Sequence, residues 1–199
     1  DVNGDGLSDF LRLGGEGGNY VYLNNGKKAD LLIRVDHSKG AITEVTYKIA
    51  QLFKKSDGSQ ANPKLPFIMY VADKITTDDG LGDKAITSYQ YEGGRYYFND
   101  YLDKRFAGFQ IVAKTDALGN TAKQYFHQGD ETDSALGEYA DQPAKINLMY
   151  REDLLDNNGQ LQTQTLNKFG LADLGNNRNF VFNSETVKKS YDSAGAEKT

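Results

Sequence analysis

The feature that most constrains how this chain can fold is a short acidic turn that recurs along it. The turn has the form Asp-x-x-Gly, and its four clear copies begin at Asp79, Asp116, Asp156 and Asp192. A looser copy spans residues 36–40. Successive copies lie roughly 40 residues apart, a period typical of stacked supersecondary units. Because the Asp side chain can accept backbone N–H groups and Gly can adopt the left-handed conformation, each copy is predicted to reverse the chain.

The segments beside these turns have the pattern of β-strands. Residues 42–47 alternate in side-chain character, as a strand with one buried face does. Residues 110–115 and 121–127 flank the turn at Asp116 in the same way, and the chain is rich in the aromatic and β-branched types that favour strands. Helical patterns are weak, and 135–144 could hold one helical turn or a loop. We therefore predict an all-β fold in which antiparallel hairpins form one continuous sheet.

Composition excludes several classes of function. The formal net charge is −5, and no block of Lys and Arg offers the basic surface that nucleic-acid binding requires. No run of about 18 apolar residues is present, so this segment is not expected to insert into a membrane. Cysteine is absent, which excludes disulfides, thiolate metal sites and cysteine nucleophiles. Any chemistry would therefore depend on carboxylates, histidines and aromatic rings.

The chain begins with a candidate calcium loop, residues 1–9. Its oxygen ligands would be the side chains of Asp1, Asn3, Asp5 and Asp9 and the carbonyl of Leu7. An EF-hand would need a Glu at the loop position that Arg12 occupies, and glycine pairs follow where a dockerin would continue as a helix. The alternative is an Asx-rich turn that binds no metal. Because the motif starts at the first residue, we expect the chain to be a piece of a longer protein.

The pattern D-x-N-x-D-G-x-x-D resembles the FG-GAP/VCBS repeat of integrin-type β-propellers. Residues 10–13 and 20–23 then have the character of strands, and Asn-Asn-Gly at 24–26 is typical of a tight hairpin turn. The resemblance implies a structural Ca²⁺ ion that fixes a blade loop. We predict two units: a calcium loop with its hairpin at 1–28, and a sheet of hairpin repeats at 29–199.

Further motifs point to one family. Tyr191-Asp192-Ser193-Ala194-Gly195 contains the signature dipeptide of the YD repeats of Rhs proteins. Four blocks resemble the B subunits of insecticidal toxin complexes (Tc toxins), and they occur in the family's order at 65–78, 89–97, 103–109 and 125–127. The resemblance covers about residues 1–130 and is loose from there to 199. The chain is thus similar to the middle region of a Tc B subunit.

This resemblance implies a structural role in a secreted toxin that is made in the bacterial cytoplasm before release. In such B subunits a β-propeller docks onto the pore-forming A subunit. An Rhs-repeat shell, completed by the C subunit, encloses an unfolded cytotoxic effector polypeptide. This chain would be the end of a propeller-like FG-GAP repeat followed by the first antiparallel hairpins of an Rhs/YD-type shell. It is not expected to be an enzyme, since the family's autoproteolytic carboxylates belong to the far end of the shell.

Two other classes of function remain open. An extracellular carbohydrate-binding or adhesion module could use an aromatic platform formed by Tyr89, Tyr91, Tyr96, Tyr97 and Phe98. Cross-strand packing in a sheet would explain the same aromatic residues. A hydrolase could use His127 as a general base with Asp130 or Glu131. His37 and the adjacent carboxylates of Asp78 and Asp79 are interpreted as turn residues.

Overall fold

The predicted all-β class is confirmed. A computed structural model describes residues 1–15, 17–26, 28, 30–131, 136–176 and 178–198. Within these residues there are thirteen β-strands and two short 3-10 helices, and no α-helix. None of the helices in this described part is long and apolar enough to cross a membrane.

The strands follow in chain order with mostly short connections on one side and long ones on the other. They are β1 (Phe10–Arg12), β2 (Tyr20–Tyr22), β3 (Arg34–Asp36), β4 (Ile42–Ile49), β5 (Tyr70–Asp78), β6 (Lys84–Glu92), β7 (Tyr96–Phe98), β8 (Lys104–Phe106), β9 (Ile111–Thr115), β10 (Thr121–Phe126), β11 (Met149–Leu155), β12 (Leu161–Asp173) and β13 (Asn179–Ser190). The 3-10 helices are Ala50–Leu52 and Pro143–Lys145.

Nine strands form one antiparallel sheet in the order β13-β12-β11-β10-β9-β6-β5-β4-β3. The order follows the chain, so the sheet is a meander with one insertion. The inserted hairpin, β7 paired with β8, lies in the connection between β6 and β9. β1 and β2 pair only with each other among the described strands. The continuous sheet of hairpins is therefore present as predicted.

The predicted acidic turns join the strands of successive hairpins. In the copy at Asp116, one carboxylate oxygen accepts the backbone N–H groups of Leu118 and Asn120, each at 2.9 Å. The N–H of Gly119 donates to the carbonyl of Asp116, and Gly119 has a φ of 89°. The copies at 156 and 192 repeat this arrangement of bonds. The side chain therefore fixes the turn as the sequence pattern predicted.

The looser copy is displaced by one residue. Its turn opens at His37, whose N–H donates to the carbonyl of Ala41 at 2.8 Å, while Gly40 donates to the carbonyl of His37. Asp36 is instead the last residue of β3 and pairs with Arg34. The turn therefore keeps the same two backbone hydrogen bonds here, although no carboxylate caps it.

The two ends of the strands carry different connections, because a meander places successive connections at alternate ends of its strands. The acidic turns lie at one end of the strands, which we call the turn edge. The connections 50–69, 93–110 and 127–148 share the other, which we call the connection edge. Neighbouring turns touch: a Cβ added to Gly80 would lie 2.7 Å from the carbonyl oxygen of Gly40, and one added to Gly119 would lie 3.1 Å from Asn157.

The core lies at the connection edge rather than along the sheet. Its buried centre is Ala50, Leu65 and Phe109. Half-buried apolar side chains pack around this centre: Phe67, Met69, Val71, Tyr91, Phe106 and Val112. These residues come largely from the blocks at 65–78, 89–97 and 103–109 that carry the resemblance to toxin B subunits. The family-like segments therefore build the buried part of the molecule.

The sheet itself is a single layer. Within its nine strands only Ile49, Tyr125, Tyr150 and Asp153 are buried. The total accessible surface is 12865 Å², whereas a compact protein of 22.1 kDa exposes about 9,300 Å². The excess surface fits a sheet with no second layer of strands or helices on either face among the described residues, although the connection near Leu136 and Gly137 lies over Arg151 and Leu166 on one face.

The segment from 1 to 28 meets the sheet at the start of β5. Gly6 lies against Ile68 and Tyr70, whose hydroxyl donates to the carbonyl of Asp5. The Lys28 ammonium donates to the carbonyl of Gly6 at 3.0 Å. The predicted division into 1–28 and 29–199 stays a prediction.

Candidate functional site

The predicted calcium loop is closed by its own acidic side chains. The Asp1 carboxylate accepts the N–H groups of Gly4, Asp5 and Gly6 at 2.8–3.1 Å. The Asp5 carboxylate accepts the N–H of Leu7 and a side-chain N–H of Asn3, both at 2.8 Å. Both Gly4 and Gly6 have a φ of 75°, which L-residues rarely adopt.

Asp9 ties the loop to the hairpin that follows. Its carboxylate accepts the N–H of Val2 at 2.6 Å and that of Asn24 at 2.8 Å. These two backbone hydrogen bonds lower the pKa of Asp9 below its usual value, so the group stays charged.

The loop's donor set suits a hard cation, since it consists of carboxylate, amide and carbonyl oxygens. A carboxylate oxygen that accepts one N–H keeps a further lone pair for a metal. The carboxylates of Asp1, Asp5 and Asp9 do not, however, form a group whose oxygens all lie within 4.8 Å of one another. Calcium binding by Asp1, Asn3, Asp5, Leu7 and Asp9 therefore stays a prediction.

A second cluster, which the sequence analysis did not identify, surrounds His127. Its Nδ1 lies 3.1 Å from an oxygen of Asp141 and 3.2 Å from an oxygen of Glu138. The three side chains are 1%, 0% and 3% exposed. Among the described residues this is the group of His and acidic side chains that could hold a metal ion.

The backbone fixes Asp141 in this cluster. Its two carboxylate oxygens accept the N–H groups of Gly129 and Asp130, each at 2.9 Å. Burial alone would raise the pKa of Asp141, but the hydrogen bonds from His127, Asp130 and Gly129 lower it to about 2. Burial likewise acts to lower the pKa of His127, but the neighbouring carboxylates of Asp141 and Glu138 outweigh burial and raise it.

The connection 127–148 positions the cluster at the connection edge, between β10 and β11. Ala140 has a φ of 45°, an uncommon conformation for a residue with a Cβ. The buried ammonium of Lys145 donates to the carbonyls of Tyr139 and Ala140 at 3.1 and 2.7 Å. The His127 ring packs against Tyr150 and Phe169, with ring centres 5.1 and 5.9 Å away.

The structure corrects the predicted pairing of His127. Its carboxylate partners are Asp141 and Glu138, not Asp130 or Glu131. Asp130 forms an ion pair with Arg95 at 3.1 Å. Sequence proximity suggested the wrong partners because the connection folds back on itself and brings distant carboxylates to the ring. No local pattern in the sequence marks this return.

The aromatic cluster is used largely in packing. Tyr91 lies between Phe53 and Phe109, at 5.6 and 4.9 Å between ring centres, and burial raises its pKa to about 12. Tyr96 makes an edge contact with Phe67. Phe98 is exposed. Glycan binding by these aromatic residues stays a prediction.

The fold defines the class: a single-layer antiparallel sheet of hairpin repeats whose core is confined to one edge. The family model described as the insecticide toxin TcdB middle/N-terminal region matches residues 1–134. The chain belongs to this family. The predicted identification as the middle region of a toxin-complex B subunit is therefore confirmed.

Solved structures share the fold. Those described as TcdB2-TccC3-TEV, TcdB2-TccC3-Cdc42 and TcdB2-TccC3 without its hypervariable C-terminal region each match 96% of this chain with a TM-score of 0.67 and 17% identity. The chain spans 12% of the length of each matching chain. The comparison with curated proteins gave no match.

Proposed function

We propose that this chain forms the edge of a propeller and part of the wall of a shell, in the B subunit of a secreted insecticidal toxin complex. The shell would enclose a cytotoxic effector polypeptide. The observation that carries this proposal is the single-layer sheet, which has no second layer of strands or helices among the described residues and exposes an excess of surface. A wall needs two free faces, whereas a globular β domain covers one of them.

The polar character of both faces supports the same role. On one face, Gln124 donates to Glu152 at 2.9 Å across the β10–β11 pair. On the other, Gln164 donates to Asp153 at 2.9 Å across the β11–β12 pair. These polar pairs offer little apolar surface to an unfolded polypeptide, so an enclosed effector would not adhere to them.

The proposed partners are those of the whole B subunit. The similar solved structures are described as complexes of TcdB2 with TccC3, and we propose that a C subunit completes the shell here also. The propeller would dock onto the A subunit. Release from the bacterium would follow assembly in its cytoplasm.

Labelling of single cysteines can test the wall. Ala85 and Ile86 are consecutive, exposed residues of β6, so their side chains point to opposite faces. This chain has no cysteine, and the other cysteines of the whole B subunit would be replaced. Ala85→Cys and Ile86→Cys would each be assembled with the C subunit and treated with a bulky polyethylene-glycol maleimide.

We expect one of the two cysteines to be protected in the intact complex, because it faces the enclosed space, and the other to react. In the complex unfolded with urea both should react. Equal reaction of both cysteines in the intact complex would contradict the proposal.

We also propose that the loop at 1–9 binds Ca²⁺ as a structural ion. Its donor chemistry supports this, and we expect a dissociation constant of about 10⁻⁴ to 10⁻³ M. In a longer segment that includes residues before Asp1, a calcium chelator should lower the Tm, and Asp5→Asn should abolish that effect. A Tm that the chelator leaves unchanged would indicate a metal-free turn.

A further inference from the structure

We propose that His127, Glu138 and Asp141 form a binding site for a divalent transition metal such as Zn²⁺. The site is separate from the calcium loop and does not rest on the proposed function. The metal would tie the connection 127–148 to the end of β10, where His127 follows the strand.

The distances between the ligand atoms fit such an ion. Nδ1 of His127 lies 3.1 Å from Asp141 Oδ1 and 3.2 Å from Glu138 Oε1, and all three atoms lie within 4.8 Å of one another. Two ligands at about 2.1 Å from a tetrahedral Zn²⁺ are about 3.4 Å apart. An ion can therefore sit between the three atoms with small movements of the side chains.

The hydrogen bonding of the cluster is incomplete without a metal. Nδ1 carries at most one hydrogen, and Asp141 accepts it. Glu138 Oε1 is then buried without a hydrogen-bond partner, although its side chain is 97% buried and points at the ring. Such an atom is costly in a protein interior. A bound cation would satisfy it.

The support around the ligands is that of a metal site. The N–H groups of Gly129 and Asp130 hold the Asp141 carboxylate in place and leave lone pairs for a cation. A neutral imidazole and two carboxylates balance the two positive charges of the ion. A nitrogen and oxygen donor set of this kind suits Zn²⁺, Co²⁺ and related ions rather than Ca²⁺.

Asp141 also lines an open cleft at the connection edge, together with Tyr97, Asp103 and Gln142. Because Asp141 lies at the wall of this cleft, an ion could reach the cluster from there. The cleft's carboxylates would favour the approach of a cation.

Zinc titration of this chain tests the site. The wild-type protein, stripped with a chelator and dialysed, should bind one equivalent of Zn²⁺ and show a higher Tm with the metal. Glu138→Gln keeps the shape of the side chain and should weaken binding at least tenfold, and so should Asp141→Asn. Two variants serve as controls: His37→Gln removes the other histidine, and Asp5→Asn removes a ligand of the calcium loop. Both should bind Zn²⁺ as the wild type does.

A spectroscopic measurement on the wild-type protein keeps the test decisive if a variant fails to fold. Addition of Zn²⁺ should shift the imidazole NMR signals of His127 and leave those of His37 in place. The proposal is overturned if the His127 signals do not move at millimolar Zn²⁺. It is also overturned if a folded Glu138→Gln protein binds as tightly as the wild type.

Discussion

Asn62 joins two connections to the sheet through one buried side chain, which is 2% exposed. Its amide nitrogen donates to the carbonyls of Ala50 and Tyr91 at 2.7 and 2.9 Å. Its oxygen accepts the N–H of Gly94 at 2.8 Å. One side chain thus bonds three backbone groups at the core, of which the Ala50 carbonyl also accepts the N–H of Phe53 at 3.3 Å.

Replacing this residue should be among the most destabilising single changes in the chain. We expect Asn62→Ala to lower the free energy of unfolding by about 3 kcal/mol, because it leaves buried backbone groups unsatisfied. The urea midpoint of unfolding would measure the loss. Asn158→Ala, at an exposed turn position, should change stability by less than about 0.5 kcal/mol. Equal effects of the two changes would contradict the role of Asn62.

The acidic turns predict a pH dependence that can be measured at one residue. The side-chain hydrogen bond from Asn120, together with backbone N–H groups, lowers the pKa of Asp116 below its usual 3.8. A carboxyl group whose pKa is lower in the folded state stabilises that state above pH 3.8, and the contribution is lost as the pH falls through the lowered value. We therefore expect this hairpin to become less stable as the pH falls through the lowered pKa.

An NMR titration of the Asp116 carboxyl carbon tests this expectation. Asn120→Ala removes the side-chain hydrogen bond and should move the pKa of Asp116 back toward 3.8. If the pKa of Asp116 is the same in the variant and the wild type, the side-chain hydrogen bond does not stabilise the charged carboxylate.

At the scale of elements, the contacts between neighbouring turns predict that a Gly→Ala substitution lowers the free energy of unfolding by different amounts in different turns. Gly159 and Gly80 both have a φ of 78°, but only Gly80 has a neighbouring turn where a Cβ would lie. Gly159→Ala should cost about 1 kcal/mol, the strain of the left-handed conformation. Gly80→Ala should cost about 3 kcal/mol, because its Cβ would also meet the backbone of Gly40.

Chemical denaturation would give both values. Gly58→Ala is the matched control, since Gly58 has a φ of 83° and open space around it. It should behave like Gly159→Ala. Should Gly80→Ala cost no more than this control, the turns would not be packed against one another.

The sequence predicts the turn edge well and the connection edge poorly, for a physical reason. Each acidic turn is local: Asp116 caps N–H groups within four residues, so its spacing and residue types are visible in the sequence. The connection edge depends on contacts between distant segments, such as those of Asn62 with Tyr91 or of His127 with Asp141. Nothing in the periodicity of a chain encodes such partners.

At the scale of the whole molecule, the apolar hairpin β1–β2 predicts a difference between this chain and a longer one. Phe10 and Leu13 are 64% and 71% exposed. We expect Leu13→Ala to change the stability of this chain by less than about 0.5 kcal/mol, since the exposed side chain buries little apolar surface. Phe109→Ala, in the core, should cost about 3–5 kcal/mol.

On the proposed assignment of the hairpin to a propeller edge, further strands of the whole B subunit should cover it. Leu13→Ala should then cost about 2 kcal/mol or more, as the loss of a buried leucine does. Thermal unfolding of both proteins would measure the change. An equally small effect in the whole subunit would show that the hairpin stays uncovered there.

The unlike edges of the sheet have a consequence for how related proteins can vary. The acidic turns are held to one length by their hydrogen bonds, so an extra residue there would shift the register of two strands. The opposite edge already carries connections of very different lengths, and lengthening a surface connection costs little free energy. Insertions among homologues, and tags added by an experimenter, should therefore be tolerated at the exposed tip of the connection 93–110, where Tyr101 and Leu102 are 79% and 91% exposed, and rejected at 156–159.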